Sequence, residues 1–301
     1  MQAAGPVAVG AWTAQAIPWA ALEAFVAAHA LPRLPAEPRW ILNELVAAPG
    51  KVVTAAAAGR LQAVAVVVDA GQSDSGAAEL LLLAALPGQP DPPAAVALAA
   101  AAAELTAAPA LELALVPRLA AAEPALRAQG FAPAYATFEM LLEPATAAPP
   151  LPPPAGMGWS DLDARSVEAY DAAVRDAFAG SPGLRIPPPA VLIAAALRHR
   201  PPARLLRQGE VVAGFVRLGL EGEGTGRIEL LGRRRHYRGQ GLGRCLLAEG
   251  VERLCRAGAR RIGLEVVAGN AQALGLYRSA GFAVVEETRV LARRLPGAGR
   301  R

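Results

Sequence analysis

One short stretch restricts the fold more than any other: Arg238-Gly239-Gln240-Gly241-Leu242-Gly243, set between a strand-like run (Arg227 to Leu231) and a helix-like run (Arg244 to Arg256). Three glycines in five residues let the backbone turn tightly and come close to a ligand. A helix that begins there aims its unpaired N–H groups and the positive end of its dipole into the turn. Such a turn is an anion site, and phosphate is its usual occupant.

Spacing narrows the choice of phosphate ligand. A dinucleotide fold requires G-x-G-x-x-G, but here the glycines fall at 239, 241 and 243, so the third comes one position early. A P-loop requires a Gly-Lys-Ser/Thr ending, and the chain's single lysine is Lys51. What remains is Arg-x-x-Gly-x-Gly, at Arg238, Gly241 and Gly243. Downstream, Asn270, Ala273, Leu276, Tyr277, Gly281 and Phe282 form N-x-x-A-x-x-L-Y-x-x-x-G-F. One helix (244–256), one strand (261–267) and a second helix (271–279) separate and carry the two motifs.

Together they resemble the two cofactor-binding segments of the GCN5-related N-acetyltransferase (GNAT) superfamily, over roughly residues 158–295. The resemblance implies an acetyl-CoA-dependent acyltransferase in which a neutral amine of a small molecule or peptide attacks the thioester directly, without a covalent enzyme intermediate. Gly239, Gln240, Gly241, Leu242, Gly243 and Arg244 would offer backbone N–H groups to the pyrophosphate. Arg238 would pair with a phosphate or brace the loop. Gly232 and Arg233 would stand where pantetheine enters between two parting strands, with Gly232 following the strand and tolerating a bulge. Asn270 would cap its helix, contact pantetheine, or both, with Ala273 beside it. Tyr277 would lie by the sulfur and protonate the departing thiolate.

Glu229 is the candidate for taking the amine proton, directly or through water. Strand alternation puts it on one face with Arg227 and Leu231. Its counterpart in the first half, Glu79, permits a structural role instead; Glu265 and His236 are alternatives. The same motifs are compatible with a non-catalytic acyl-CoA-binding or regulatory scaffold. The run Arg233-Arg234-Arg235-His236 suits a solvated loop or the attraction of CoA. No interleaved aromatic residues apart from Tyr237 are present to stack bases, so no nucleic acid is expected.

The chain repeats itself. Trp12 matches Trp159, Gly59–Val66 matches Gly209–Val216, Ala78–Leu81 matches Ile228–Leu231, Leu111–Leu113 matches Leu264–Val266, and Leu126–Phe131 matches Tyr277–Phe282. The nearly constant offset marks a tandem arrangement: a degenerate acetyltransferase-like domain at 1–143, a Pro/Ala-rich linker at 144–157, and an acetyl-CoA-binding catalytic domain at 158–301. The expected fold class is mixed α/β, each domain a central mixed β-sheet flanked by helices. The first copy has Gly88-Gln89-Pro90-Asp91-Pro92-Pro93 at the loop position. Prolines there have no N–H to donate and Asp91 repels phosphate, so this copy is expected to keep the fold without the cofactor.

Length and composition fit two domains: 301 residues, 53% hydrophobic, with a net charge of +4. Cys245 and Cys255 lie ten apart on one expected helix, about 15 Å at the helical rise, too far for a disulfide. With no Cys/His cluster, no metal is expected. Lacking an evident signal peptide or a membrane-length apolar run, the chain reads as a cytoplasmic monomer or homodimer. Acceptor specificity is expected from residues 160–200, which hold Phe178, Arg185, Ile186, Arg198 and His199.

Overall fold

The computed structural model describes residues 8–12, 24, 52–57, 60–68, 77–85, 92–115, 117–143, 151–181, 186, 189–198, 201–221 and 224–295. Gly59, residues 88–91, the linker stretch 144–150, Arg185, His199 and the side chain of Arg198 lie outside the described residues. Two compact units emerge. The first holds residues up to 70, 75–135 and those from Thr288 on; the second holds Ala136–Glu287.

In the first unit, strands β1 (Ala8–Trp12), β2 (Val52–Ala57), β3 (Arg60–Val68) and β4 (Ala78–Ala85) pair antiparallel in sequence order. Strand β5 (Ala110–Leu115) lies parallel to β4. A parallel pair needs a crossover, supplied by helix α1 (Pro92–Leu105). Pro92 opens that helix, where a missing N–H costs no intrahelical bond. Leu98, Ala99 and Ala102 of α1 pack with Val53, Ala65 and Leu113 into one core. A 3₁₀ turn (Pro117–Ala122) and helix α2 (Glu123–Ala128) follow. The outer neighbour of β5 is Arg289–Arg294, the end of the last strand of the chain.

The second unit repeats this order. Strands β7 (Gly158–Asp161), β8 (Arg204–Gln208), β9 (Val211–Glu221) and β10 (Thr225–Arg233) pair antiparallel in succession. Strand β11 (Arg261–Val267) lies parallel to β10, joined through helix α5 (Leu242–Arg256). Helices α3 (Val167–Phe178) and α4 (Pro189–Arg198) connect β7 to β8. The outer neighbour of β11 is β6 (Ala132–Leu142), whose residues Thr137–Leu142 come from before the linker. Helix α6 (Ala271–Ser279) leads to β12 (Ala283–Arg294), one continuous strand. Its run Ala-Val-Val-Glu-Glu-Thr-Arg-Val contains no turn-forming residue to divide it.

The strand bordering β5 in the first unit thus comes from residues 289–294, and the strand bordering β11 in the second from residues 137–142, an exchange between the two ends of the chain order. The helix ends correspond too. Gly130 (φ 88°) and Gly281 (φ 94°) are left-handed residues, which glycine adopts without penalty. Phe131 N–H bonds Leu126 C=O at 3.1 Å, and Phe282 N–H bonds Tyr277 C=O at 3.0 Å.

The second unit has a core on each face of its sheet. On one, Leu247, Val251 and Leu254 of α5 meet Val216, Leu218 and Ile228. Their spacing is that of an amphipathic helix laid on a sheet. On the other, Tyr170, Ala173 and Val174 of α3 meet Leu205, Val212 and Phe215.

Candidate active site

β10 and β11 stay paired from Thr225 and Arg261 to Ile228 and Leu264, and there the ladder ends. At the same level β10 is bulged: Ile228 pairs with Leu218 and Leu230 with Arg217, leaving Glu229 as the extra residue. A bulge bends its strand and re-aims side chains. The alternation expected here, with Arg227, Glu229 and Leu231 on one face, breaks at this point. Leu230 packs on the α3 side while Leu231 joins Ile228 on the α5 side. Gly232 is likewise not beyond the strand. It pairs with Phe215 inside β10, and a Cβ there would meet Phe215 Cζ at 2.5 Å and Phe178 Cε2 at 3.1 Å. Aromatic packing, not a bulge, requires this glycine.

Between the parted strands opens a cleft of about 890 Å³, lined by the loop glycines 239, 241 and 243, the strand residues Glu229 to Arg233 and Leu264 to Val267, Asn270 with the α6 residues Ala273 and Tyr277, and the stretch from Ala177 to Ser181 where α3 ends. Gly239 (φ 80°) and Gly241 (φ 76°) both need the left-handed backbone. Gly241 is the N-cap of α5, and no side chain caps that end. The Arg244 N–H turns back to Gly241 C=O at 3.1 Å, and no side chain competes with a ligand for the N–H groups of the turn before it. Arg233, Arg238 and Arg244 line the same cleft. Uncapped N–H groups with three guanidinium-bearing residues form a donor set suited to a pyrophosphate. Leu242 is buried against Leu206, Leu246 and Tyr237, so its contribution is restricted to the backbone. Gln240 is exposed, with its amide donating to His236 C=O at 3.4 Å.

The arginines do not act alike. Arg238 donates to Ala177 C=O at 3.3 Å, bracing the loop against the end of α3. Arg235 donates its side chain to Ala179 C=O at 2.7 Å and its backbone N–H to Asp176 at 2.7 Å, reinforcing that brace. Asp176 was not evident from sequence, since nothing local in α3 marks it. Burial lowers the Arg233 pKa, and neighbouring Arg238 lowers it further.

Tyr277 is 8% exposed, its ring 6.0 Å from that of Phe282. Burial pushes its hydroxyl up to about 12, against the opposing pull of Arg233. It is therefore a phenol, not a phenolate, at neutral pH. Asn270 caps α6, its side-chain oxygen accepting from Ala273 N–H at 3.1 Å. Glu229 accepts from Arg217 Nε at 2.8 Å. Arg217, also overlooked in the sequence, had a signal: a lone charge in the apolar run Val211–Leu220. Among the residues from 160 to 200, Phe178 lines the cleft and Ile186 lies in the core. Among the described residues no group of three or more His, Cys, Asp or Glu is placed to hold a metal, and no helix is long and apolar enough to cross a membrane.

Residues 168–282 match the profile of the acetyltransferase (GNAT) family. A mycothiol acetyltransferase of Corynebacterium aurimucosum is 38% identical over 85 residues, which are 27% of this chain and 28% of that relative; the match thus spans little more than a quarter of its length. Two solved structures share the fold over nearly the whole chain. A GCN5-related N-acetyltransferase from Sphaerobacter thermophilus superposes with a TM-score of 0.66 at 19% identity, covering 96% of this chain and 95% of its own. A tandem GNAT protein from the clavulanic acid biosynthesis pathway does so with a TM-score of 0.67 at 16% identity, covering 98% and 99%.

Proposed function

We propose that this protein, whose residues 168–282 match the profile of the acetyltransferase (GNAT) family, moves an acetyl group from acetyl-CoA to an amine of a small molecule or peptide within a ternary complex. The observation that carries the reading is the uncapped, glycine-lined start of α5 opening into the cleft where β10 and β11 part, with Tyr277 lining the same cleft. Acetyl-CoA supplies the activated acetyl thioester. The chain's residues do the rest. Backbone N–H groups from Gly239 to Arg244, with Arg233 and Arg244, hold the pyrophosphate, and this remote binding energy positions the reacting carbonyl. Glu229 takes the proton the amine must lose, directly or through water. As the amine nitrogen bonds to the carbonyl carbon and the carbon–sulfur bond breaks, the protonated Tyr277 donates to the sulfur.

The first unit is read as a duplicated copy that kept the fold and lost the site. Its ladder continues through Glu79↔Glu112 and Leu80↔Leu113. At the matching positions of the second unit, Glu229 does not face Glu265 in a ladder, nor Leu230 Val266, because the β10–β11 pairing ends at Ile228 and Leu264. The carboxylate of Glu112, 8% exposed, accepts from the Tyr135 hydroxyl at 3.0 Å. The partial likeness to a mycothiol acetyltransferase supports a small-molecule acceptor.

The test is release of free CoA thiol from acetyl-CoA over a panel of primary amines. Amine-dependent release with matching N-acetyl product, abolished in Glu229→Gln, is the expected result. Tight acetyl-CoA binding without acetylation of any amine would favour a scaffold.

A further inference from the structure

Arg217 takes no direct part in the proton transfers. It stands in β9 between Val216 and Leu218, both fully buried. Its Nε donates to Glu229 Oε2 at 2.8 Å, with the two side chains 27% and 28% exposed. Three independent features prepare the place the carboxylate occupies. The bulge inserts Glu229 into β10 as an extra residue opposite β9. Gly219, two positions along β9, has no Cβ, and one placed there would collide with Glu229 Oε1. Behind Arg217 stands Tyr170, 0% exposed, with its ring edge-on to Phe215 at 5.3 Å; burial raises its pKa, against the opposing pull of neighbouring Arg217. A buried surface of this sort keeps water from one side of the charge pair and strengthens it.

The repeat shows that the sheet does not itself demand these residues. At the offset of 150 that matches Gly209–Val216 to Gly59–Val66, Arg217 falls on Val67 and Gly219 on Asp69. Val67 is 1% exposed in the core of the first unit. A valine fills that strand position well where the strands stay paired. The arginine and the glycine belong to the copy whose strands part.

We propose that Arg217 is a positioning residue for Glu229, fixing its carboxylate at the cleft and holding it ready to receive the acceptor's proton. The inference rests on the reading of Glu229 as proton acceptor. Other titratable groups on this side are Tyr170, Asp171 (engaged by Arg175), Glu265, and Arg227 (engaged by Glu139).

The experiment labels the glutamate carboxyl carbons with ¹³C, assigns Glu229 by its loss in Glu229→Gln, and titrates wild type, Arg217→Met and Arg217→Lys. An adjacent cation favours the charged form, so its removal raises the titration midpoint. The expected shift in Arg217→Met is about one pH unit upward, largely reversed in Arg217→Lys. Arg217→Gln serves if the Met variant does not fold. With tyramine as probe acceptor, the acidic limb of kcat/KM moves by the same amount while the KM for acetyl-CoA stays constant. An unmoved midpoint overturns the proposal. Full turnover in Glu229→Gln overturns instead the proton-acceptor reading on which it rests, so the two failures are distinguishable.

Discussion

Arg227 on β10 grips Glu139 on β6 through two parallel hydrogen bonds of 2.7 and 3.0 Å, although 88 residues separate them in the chain. The pair lies over Gly263 of the intervening strand, where an added Cβ would sit 3.1 Å from Glu139 Oε1 and 3.4 Å from Arg227 Nη1. A strand from before the linker is thus clamped across β11, at the base of the cleft-bearing sheet. Replacing Glu139 with Gln removes one charge of a bidentate pair. The expected cost is about 1.5–3 kcal/mol, read as a lower urea midpoint. A fragment beginning at residue 158 lacks β6 altogether. It should expose the β11 edge and aggregate, whereas one beginning at residue 136 keeps that edge paired.

Tyr277 should act as a proton donor across the whole working range. Its hydroxyl lies near 12, above the ordinary phenol value, because burial disfavours the phenolate. Loss of that proton therefore contributes no alkaline limb to kcat below about pH 10. Tyr277→Phe should lower kcat by about 10²–10⁴-fold, with little change in the KM for acetyl-CoA and an unchanged pH profile. An unaffected kcat would remove the role. The same raised value has a consequence for stability. The folded state keeps a proton that the unfolded chain releases, so this contribution is intact below about pH 10 and declines as pH climbs towards 12.

Gly232→Ala should destabilise the second unit and disturb the cleft together. The new methyl group meets the Phe215 ring at 2.5 Å and the Phe178 ring at 3.1 Å. Overpacking of this kind costs about 1–3 kcal/mol. Thermal unfolding should show the loss. The companion change Phe215→Leu, by making room, should return part of it.

Asn270→Ala separates capping from ligand contact. The observed side-chain bond goes to Ala273 N–H, so the expected effect is about 1 kcal/mol of stability without change in acetyl-CoA affinity. A drop in affinity beyond that explained by unfolding would assign Asn270 a ligand as well.

Much of the site could be read from residue order because it is built locally. The glycines at 239 and 241 occupy the left-handed backbone that their clustering implies, and the bounds of β11 and α6 follow from periodicity and from Asn270 as a cap. What escaped notice depends on registration between strands. The bulge at Glu229 exists only because β10 slips one residue against β9. It moves Leu231 to the other face and brings Glu229 to Arg217, a relation that no spacing along one strand encodes. The exchange of β6 and the end of β12 is hidden for a related reason: an alternating strand presents the same pattern whichever sheet edge it joins. Gly232 and Gly263 look like ordinary glycines in sequence, and only their close neighbours, Phe215 in one case and the Arg227–Glu139 pair in the other, explain them.

The central claim is that one unit, through the start of α5, binds acetyl-CoA and the other does not. Calorimetric titration of the full chain with acetyl-CoA, beside Gly241→Glu, tests it most directly. The variant forces a side chain into a left-handed position (φ 76°) and sets a carboxylate where the phosphate should lie. The account predicts one saturable site per chain in the native protein and none in the variant. Two sites, or binding that survives in Gly241→Glu, would contradict it.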